Sequence, residues 1–200
     1  MPEISIDGRR VAYSGCGSGP CVVLLHAGSG SGKQWLKTAH LLQARFHVIA
    51  PDLWGFGSTE RWSADQELTH DHHALLVARV IQHRRKEPVH LVGHSYGGAT
   101  AVRLILRNRA LVRTAVLIEP VLTPLLQLAG EENLFHEYFD MAQAFLGNAT
   151  AGNLDEAWRL FLDYPLTIAT ARGLGRHCRN RRESASAPRP RAPSPAFDRI

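Results

Sequence analysis

The chain has 200 residues, 44% of them hydrophobic and 20% charged, enough apolar material for the core of one ordinary domain and too much for a disordered chain. Its formal net charge of +5 is unevenly placed: residues 165–200 hold eight Arg against two acidic residues, whereas residues 1–164 hold 15 Lys and Arg against 16 Asp and Glu. The basic character therefore belongs to the last segment, and the rest gives no electrostatic ground for a nucleic-acid or membrane partner.

The longest apolar stretches are strand-sized, far short of the run of about 20 residues that a membrane span needs. The opening residues carry neither a basic n-region nor an apolar h-region, so no secretory signal is expected. Three scattered cysteines, Cys16, Cys21 and Cys178, do not make a disulfide framework, and the expected compartment is the cytoplasm.

In chain order, residues 3–7 and 10–14 read as a hairpin turned by Asp7-Gly8. Cys21 to His26 is a continuous run typical of a strand buried on both faces. A glycine-rich loop follows, then a predicted helix over about 33–44, with Trp35, Leu36, Ala39 and Leu42 near helical spacing. Phe46 to Ala50 is the next buried strand, and residues 53–66 are loop, punctuated by Gly55 and Gly57. Thr69 suits the cap of a helix running to about Arg85. Val89 to Val92 is a short strand, Ser95 to about Arg107 a helix, and Leu111 to Ile118 another apolar strand.

This alternation predicts an α/β fold, a parallel sheet with helices on both faces. Residues 122–163 contain no comparable strand and read as two or three helices, one face formed by Phe135, Tyr138, Phe139, Ala142 and Phe145, another by Trp158, Phe161 and Leu162. After Pro165 the apolar pattern collapses into Arg, Pro, Ala and Ser. The expected organisation is a core over 1–120, a partial helical cap over 121–164 and a disordered basic tail over 165–200.

Gly93-His94-Ser95-Tyr96-Gly97 fits G-x-S-x-G, with a strand before it and a helix after it. So sharp a turn strains the serine and exposes its hydroxyl, and glycines two before and two after remove side chains that would collide. The helix start offers unpaired N–H groups where negative charge develops in acyl transfer. Ser95 is therefore the candidate nucleophile; the plainer reading is a serine N-cap. His26-Ala27-Gly28-Ser29-Gly30-Ser31-Gly32 ends an earlier strand, where a second oxyanion donor is expected. The candidate pair is the N–H groups of Gly28 and Tyr96, against the simpler reading of a flexible strand-to-helix turn. Ala27 to Gln34 also nearly matches the phosphate-binding G-x-x-x-x-G-K-[ST], but Ala27 stands where the first Gly should be and Gln34 where a Ser or Thr should bind magnesium.

With these motifs in hand, the sequence resembles the α/β-hydrolase superfamily. The resemblance rests on His26-Ala27-Gly28, Asp52-Leu53-Trp54-Gly55-Phe56-Gly57-Ser58 and Gly93-His94-Ser95-Tyr96-Gly97-Gly98, and covers about residues 3–164. It implies a mostly parallel sheet, a helical cap from about residue 121 and hydrolysis through an acyl-enzyme. In this family the Asp52 to Ser58 stretch shapes a loop. A serine nucleophile argues against the branches resembling haloalkane dehalogenases and epoxide hydrolases, which place Asp there.

The triad runs Ser, acid, His in chain order. Glu119, ending the strand at 111–118, is the best acid present; some members carry the acid there and others one strand later, and a solvated or helix-capping Glu is the alternative. No histidine is a good base. His94 should point away, His26 reads as a brace for the oxyanion loop, His136 falls on a cap helix and His177 in the tail. His70, His72 and His73 surround Asp71 at a helix start, where a solvated polar face is expected and no known metal spacing is met.

The triad histidine is expected after a last strand that the chain lacks. The composition of residues 165–200 matches a shifted reading frame in a GC-rich gene, a basic arm for nucleic acid being the other reading. The expected function is hydrolysis of an ester or related acyl bond of a small organic substrate, impaired by the missing histidine. The alternative is a non-catalytic remnant or binding scaffold of the same fold. No cofactor or metal is implied, the partner is a small-molecule substrate, and oligomeric state is not legible.

Overall fold

The computed structural model describes residues 2–63, 65–84 and 87–164; the expectations placed on residues 165–200 lie outside them. The described residues fall into two compact units, one ending at Leu125 and the other beginning at Leu126.

The first unit is built on β1 (Glu3–Ile6), β2 (Arg9–Cys16), β3 (Cys21–Leu25), β4 (His47–Pro51), β5 (Val89–His94) and β6 (Val112–Ile118). Three helices connect them, α1 (Leu36–Leu42), α2 (His70–Arg84) and α3 (Tyr96–Arg107). The sheet order is β1-β2-β4-β3-β5-β6. β3 runs parallel to both β4 and β5, and β5 parallel to β6, while β1–β2 and β2–β4 are antiparallel. The mostly parallel α/β sheet expected from the sequence is thus the observed one. The hairpin turns where expected, with Asp7 and Gly8 at φ 51° and 80°, the left-handed pair of a two-residue turn.

Alternation along β3 explains why its run is apolar throughout. Val23 and Leu25 belong to a cluster with Val77, Ile81, Ala101 and Leu104 of α2 and α3. Val22 and Leu24 belong to the opposite cluster, with Trp35 and Ala39 around α1. Successive side chains point to opposite faces, so a strand covered on both sides buries every residue. Each buried Val or Leu contributes about 1.5–3 kcal/mol.

The predicted helix over 33–44 is shorter than expected. A 3-10 turn spans Gly32–Trp35, and the α-helix begins only at Leu36. The cause is long-range: the Gly32 N–H donates to Asp52 Oδ1 at 2.7 Å, which holds the chain at the end of β4 before it can wind. β6 likewise starts after a 3-10 turn, Arg109–Leu111.

Helix α4 (Pro124–Leu128) spans the division of the sequence at Leu125, and the second unit continues with α5 (Glu132–Thr150) and α6 (Leu154–Asp163). Phe145 is buried with its ring 5.5 Å from Trp158 and 5.9 Å from Phe161, and Ala149 and Ala157 are buried too. Of the aromatic face expected on α5, Phe135 and Phe139 stack on each other, and Phe139 stays exposed. Among the described residues no helix is long and apolar enough to cross a membrane.

Candidate active site

Between β5 and α3 the chain turns on Ser95, which takes φ 53° and ψ −115°. A left-handed φ is rare for a residue with a Cβ and is held only when the surroundings over-determine it. Here they do. The Ser95 N–H donates to the Ile118 carbonyl at 2.9 Å, and its carbonyl accepts from Ala99 N and Val121 N. The flanking glycines leave no alternative packing. A Cβ on Gly97 would lie 2.5 Å from the His26 carbonyl oxygen and 2.6 Å from that of Leu25. On Gly93 it would meet the Gly97 carbonyl oxygen at 2.5 Å, and on Gly98 the Pro120 ring at 2.8 Å. Tyr96 follows as the first residue of α3.

The loop carrying Gly28 leaves β3 beside this turn, since Leu25 pairs with Gly93. Ala27 to Gly30 form a tight turn, closed by Gly30 N–H donating to Ala27 O at 3.2 Å with Ser29 at φ 62°. His26 is fully buried and braces two loops: its Nε2 accepts from Leu53 N at 3.1 Å, and its Nδ1 lies 2.8 Å from Ala27 O. Asp52, also buried, ties the same two loops through Gly32 N–H on Oδ1 and Ser58 N–H on Oδ2, both at 2.7 Å. Gly57 sits so close to that carboxylate that no side chain would fit. Gln34 completes the wall, with Oε1 2.9 Å from Ala27 N and Nε2 3.0 Å from His94 Nδ1.

Under Tyr96 lies a buried imidazole cluster. The Tyr96 hydroxyl is 2.8 Å from His73 Nε2, and its ring centre is 4.3 Å from that of His70. His70 Nδ1 lies 2.9 Å from Thr100 Oγ1. Burial is the main force holding these groups neutral. It pushes His73 well below the usual imidazole range, with the neighbouring His70, His26 and His72 acting the same way. It pushes His70 down to about 4, Arg103 adding to the shift and Asp71 opposing it. It lowers His26 against the Ala27 bond and the Asp52 charge, and it raises the Tyr96 phenol.

The expected solvated polar face at the start of α2 is therefore corrected: His70 and His73 are buried, and only Asp71 and His72 lie nearer the surface. The signal was present, because positions 70, 73, 77 and 80 continue one helical stripe. His72 instead acts at the helix start, its Nδ1 accepting from Thr69 N at 3.1 Å as an acidic residue does in a capping box. Asp71 binds Arg103 and Arg107 of α3, and the Arg103 bond holds its carboxyl down at about 2. No group of residues suited to a metal ion occurs among the described residues.

Glu119 follows the last residue of β6, between Ile118 and Val121, both of which hydrogen-bond the Ser95 backbone. It too has a left-handed φ, 44°, and it is exposed. The expected quartet thus lies at one edge of the sheet: Ser95 at the turn, Tyr96 after it, Gly28 on the neighbouring loop and Glu119 beyond β6. The sequence reading gave Gln34, His70 and His73 no part in it.

A mostly parallel sheet whose fifth strand turns into a helix through a strained serine defines a class of α/β enzyme scaffold. The chain belongs to the alpha/beta hydrolase fold family, whose model matches residues 20–157. It is 33% identical over 121 residues to a soluble epoxide hydrolase of Corynebacterium sp. (strain C12), covering 60% of this chain and 41% of that protein. It is 34% identical over 120 residues to the 2-hydroxymuconate semialdehyde hydrolase of Pseudomonas sp. (strain CF600), covering 58% and 42%. Among solved structures, the meta-cleavage product hydrolase of Pseudomonas fluorescens IP01 superposes with a TM-score of 0.55 at 31% identity, covering 60% of this chain and 45% of that one. The chain spans about two fifths of the length of these curated relatives.

Proposed function

We propose that the chain carries the nucleophile half of a serine hydrolase that cleaves an ester or related acyl bond in a small organic substrate. The observation behind this reading is the conformation of Ser95, φ 53° and ψ −115°, at a turn whose glycines admit no side chain. The Ser95 hydroxyl attacks the carbonyl carbon, and the electron pair of the C=O bond moves onto oxygen. The N–H groups of Gly28 and Tyr96 receive that oxyanion. Its collapse expels the alcohol, and water then releases the acid from Ser95.

The serine proton needs a base. Four imidazoles of the first unit are engaged elsewhere: His26 with Leu53, His73 with Tyr96, His70 with Thr100 and His94 with Gln34. The reading therefore takes the base from outside the described residues, with Glu119 orienting it. Similarity to both an epoxide hydrolase and a semialdehyde hydrolase leaves two chemistries, and a serine at residue 95 favours the acyl one. Such a reaction suits the cytoplasmic setting expected from the scarcity of cysteine.

A fluorophosphonate probe tests the proposal. Labelling of the full chain at Ser95, lost in Ser95→Ala, is the expected outcome; no labelling, or labelling that survives in Ser95→Ala, refutes it.

A further inference from the structure

Gln34 is one of the two residues at which the phosphate-loop pattern fails, Ala27 being the other, and the chemistry above gives it no part. We propose that Gln34 is a positioning residue that locks the oxyanion loop to the serine turn, and that in doing so it holds His94 as the neutral tautomer protonated on Nε2. The inference rests on the reading of Gly28 as an oxyanion donor.

The argument begins with a group that has no choice. The Ala27 backbone N–H can only donate, so the Gln34 atom 2.9 Å from it is the amide oxygen. That fixes the amide orientation, and the other end, 3.0 Å from His94 Nδ1, is the NH₂ group. An NH₂ group can only donate, so His94 Nδ1 must accept. A neutral imidazole with a bare Nδ1 carries its proton on Nε2. One backbone N–H on β3's extension thus determines the protonation state of a side chain at the end of β5.

The same amide constrains the donor beside it. β3 and β5 are paired as far as Leu25 and Gly93, so Ala27 and Ser95 each lie two residues beyond that last pair, on chains about 4.8 Å apart where the strands pair. Gln34 bridges the two chains from Ala27 to His94, where the ladder has ended. The Ala27 carbonyl is held as well, by Gly30 N–H at 3.2 Å. In a trans peptide the N–H of the next residue points opposite the carbonyl, and among the described residues no peptide is cis. With both polar groups of Ala27 engaged, the direction of the Gly28 N–H is set. Gln34 is itself fixed at its backbone by donation to Ser31 O at 3.0 Å, and the next side chain, Trp35, is buried.

The test uses the full chain labelled with ¹⁵N. Imidazole ¹H–¹⁵N spectra, with the His94 signal assigned by its loss in His94→Gln, should show the Nε2–H tautomer. In Gln34→Leu, which removes both bonds at similar volume, the tautomer preference should disappear and the Gly28 amide resonance should move. In Gln34→Glu a carboxylate still accepts from Ala27 but needs a donor from His94. Its imidazole should then carry a proton on Nδ1, while the Gly28 amide stays near its original position. Fluorophosphonate labelling at Ser95 should slow roughly tenfold in Gln34→Leu and recover to within about twofold in Gln34→Glu, as expected for a displaced oxyanion donor. A wild-type His94 protonated on Nδ1 overturns the proposal, as does a Gly28 resonance unmoved in Gln34→Leu. So does a Gln34→Leu chain that loses stability to urea without any change in tautomer, because that is packing alone. If the wild-type chain is not labelled, the serine reading fails by itself, and the two resonance measurements still decide the role of Gln34.

Discussion

β3 and β6 flank the same strand. Both run parallel to β5, and both end beside Ser95. Both end in apolar runs, Cys-Val-Val-Leu-Leu in β3 and Ala-Val-Leu-Ile in β6. Yet every residue of β3 is buried, and every residue of β6 after Val112 is exposed, with Val116 at 55% and Ile118 at 40%. β3 has a strand on each edge and helices on both faces, whereas among the described residues β6 pairs with β5 alone and meets α3. An apolar sequence states what a strand needs, and its neighbours decide whether that need is met. The site inherits the asymmetry: the loop after β3 is tied down by His26, Asp52 and Gln34, while Glu119 after β6 stands in solvent.

The two glycines that open α3 give the largest test, because each faces one of these strands. A Cβ on Gly97 would press on the carbonyl groups of Leu25 and His26, backbone at the end of the central strand. A Cβ on Gly98 would press on Pro120, in the turn after β6. Gly97→Ala should destabilise by more than about 4 kcal/mol or prevent folding, and Gly98→Ala by about 1–3 kcal/mol, because the outer turn is freer to shift. Urea unfolding measures both. Equal losses would mean that the β6 side is as rigid as the β3 side, and the comparison would fail.

Leucines on the two strands come next. Leu25 is fully buried, whereas Leu117 is 38% exposed. Leu25→Ala should cost about 3–4 kcal/mol through lost burial and the cavity left behind, and Leu117→Ala less than about 1 kcal/mol. A large loss at Leu117, seen in the same unfolding series, would show that β6 is covered by residues outside those described.

Acid should loosen the tied-down side first. The imidazole of an unfolded chain takes up a proton near 6.5, whereas burial holds His70 in the folded chain down to about 4 and His73 well below its usual range. Between those values the unfolded state binds more protons, so the stability these residues contribute is complete above about 6.5 and falls as the pH drops toward 4. For His70 alone the loss is on the order of 3 kcal/mol. His70→Gln should flatten the dependence of unfolding free energy on pH between 7 and 4.5. A wild-type chain whose stability is constant over that range would place these histidines in solvent, as the sequence alone suggested.

How far the sequence carried depended on the range of the cause. The turn at Ser95 was legible because its requirements are local, a strand, glycines two residues away on each side and a helix. The loop that carries Gly28 and the helix start at Tyr96 are read from equally short segments. The buried positions of His70 and His73 were missed because two histidines beside an aspartate look polar, and only their place on the stripe of Val77 and Val80 says otherwise. The late start of α1 was not legible, since it depends on Asp52 reaching Gly32 across 20 positions. The tie between Gln34 and His94 spans 60 positions and leaves no local mark. β6 read as a core strand because exposure is decided by neighbours that its own sequence does not name.

The smallest expected effect concerns backbone strain, and it separates the two sides once more. Ser95 and Glu119 both hold a left-handed φ, 53° and 44°, and both carry a Cβ that disfavours it. Glycine removes that penalty but gives the unfolded chain more freedom, and the two effects are of similar size, about 1 kcal/mol each. The balance therefore depends on how far the surroundings force the conformation. Ser95 is held through its N–H and its carbonyl, against glycines that cannot move. Its ψ of −115° lies outside the ordinary left-handed helical well, which adds to the strain. Glu119 is exposed and can relax. Ser95→Gly should raise stability by about 1 kcal/mol while abolishing probe labelling, the pattern expected where strain serves chemistry. Glu119→Gly should change stability by less than about 0.5 kcal/mol. A chain destabilised by Ser95→Gly would mean that the serine side chain stabilises the fold, and the turn would lose its strongest claim to be a nucleophile site.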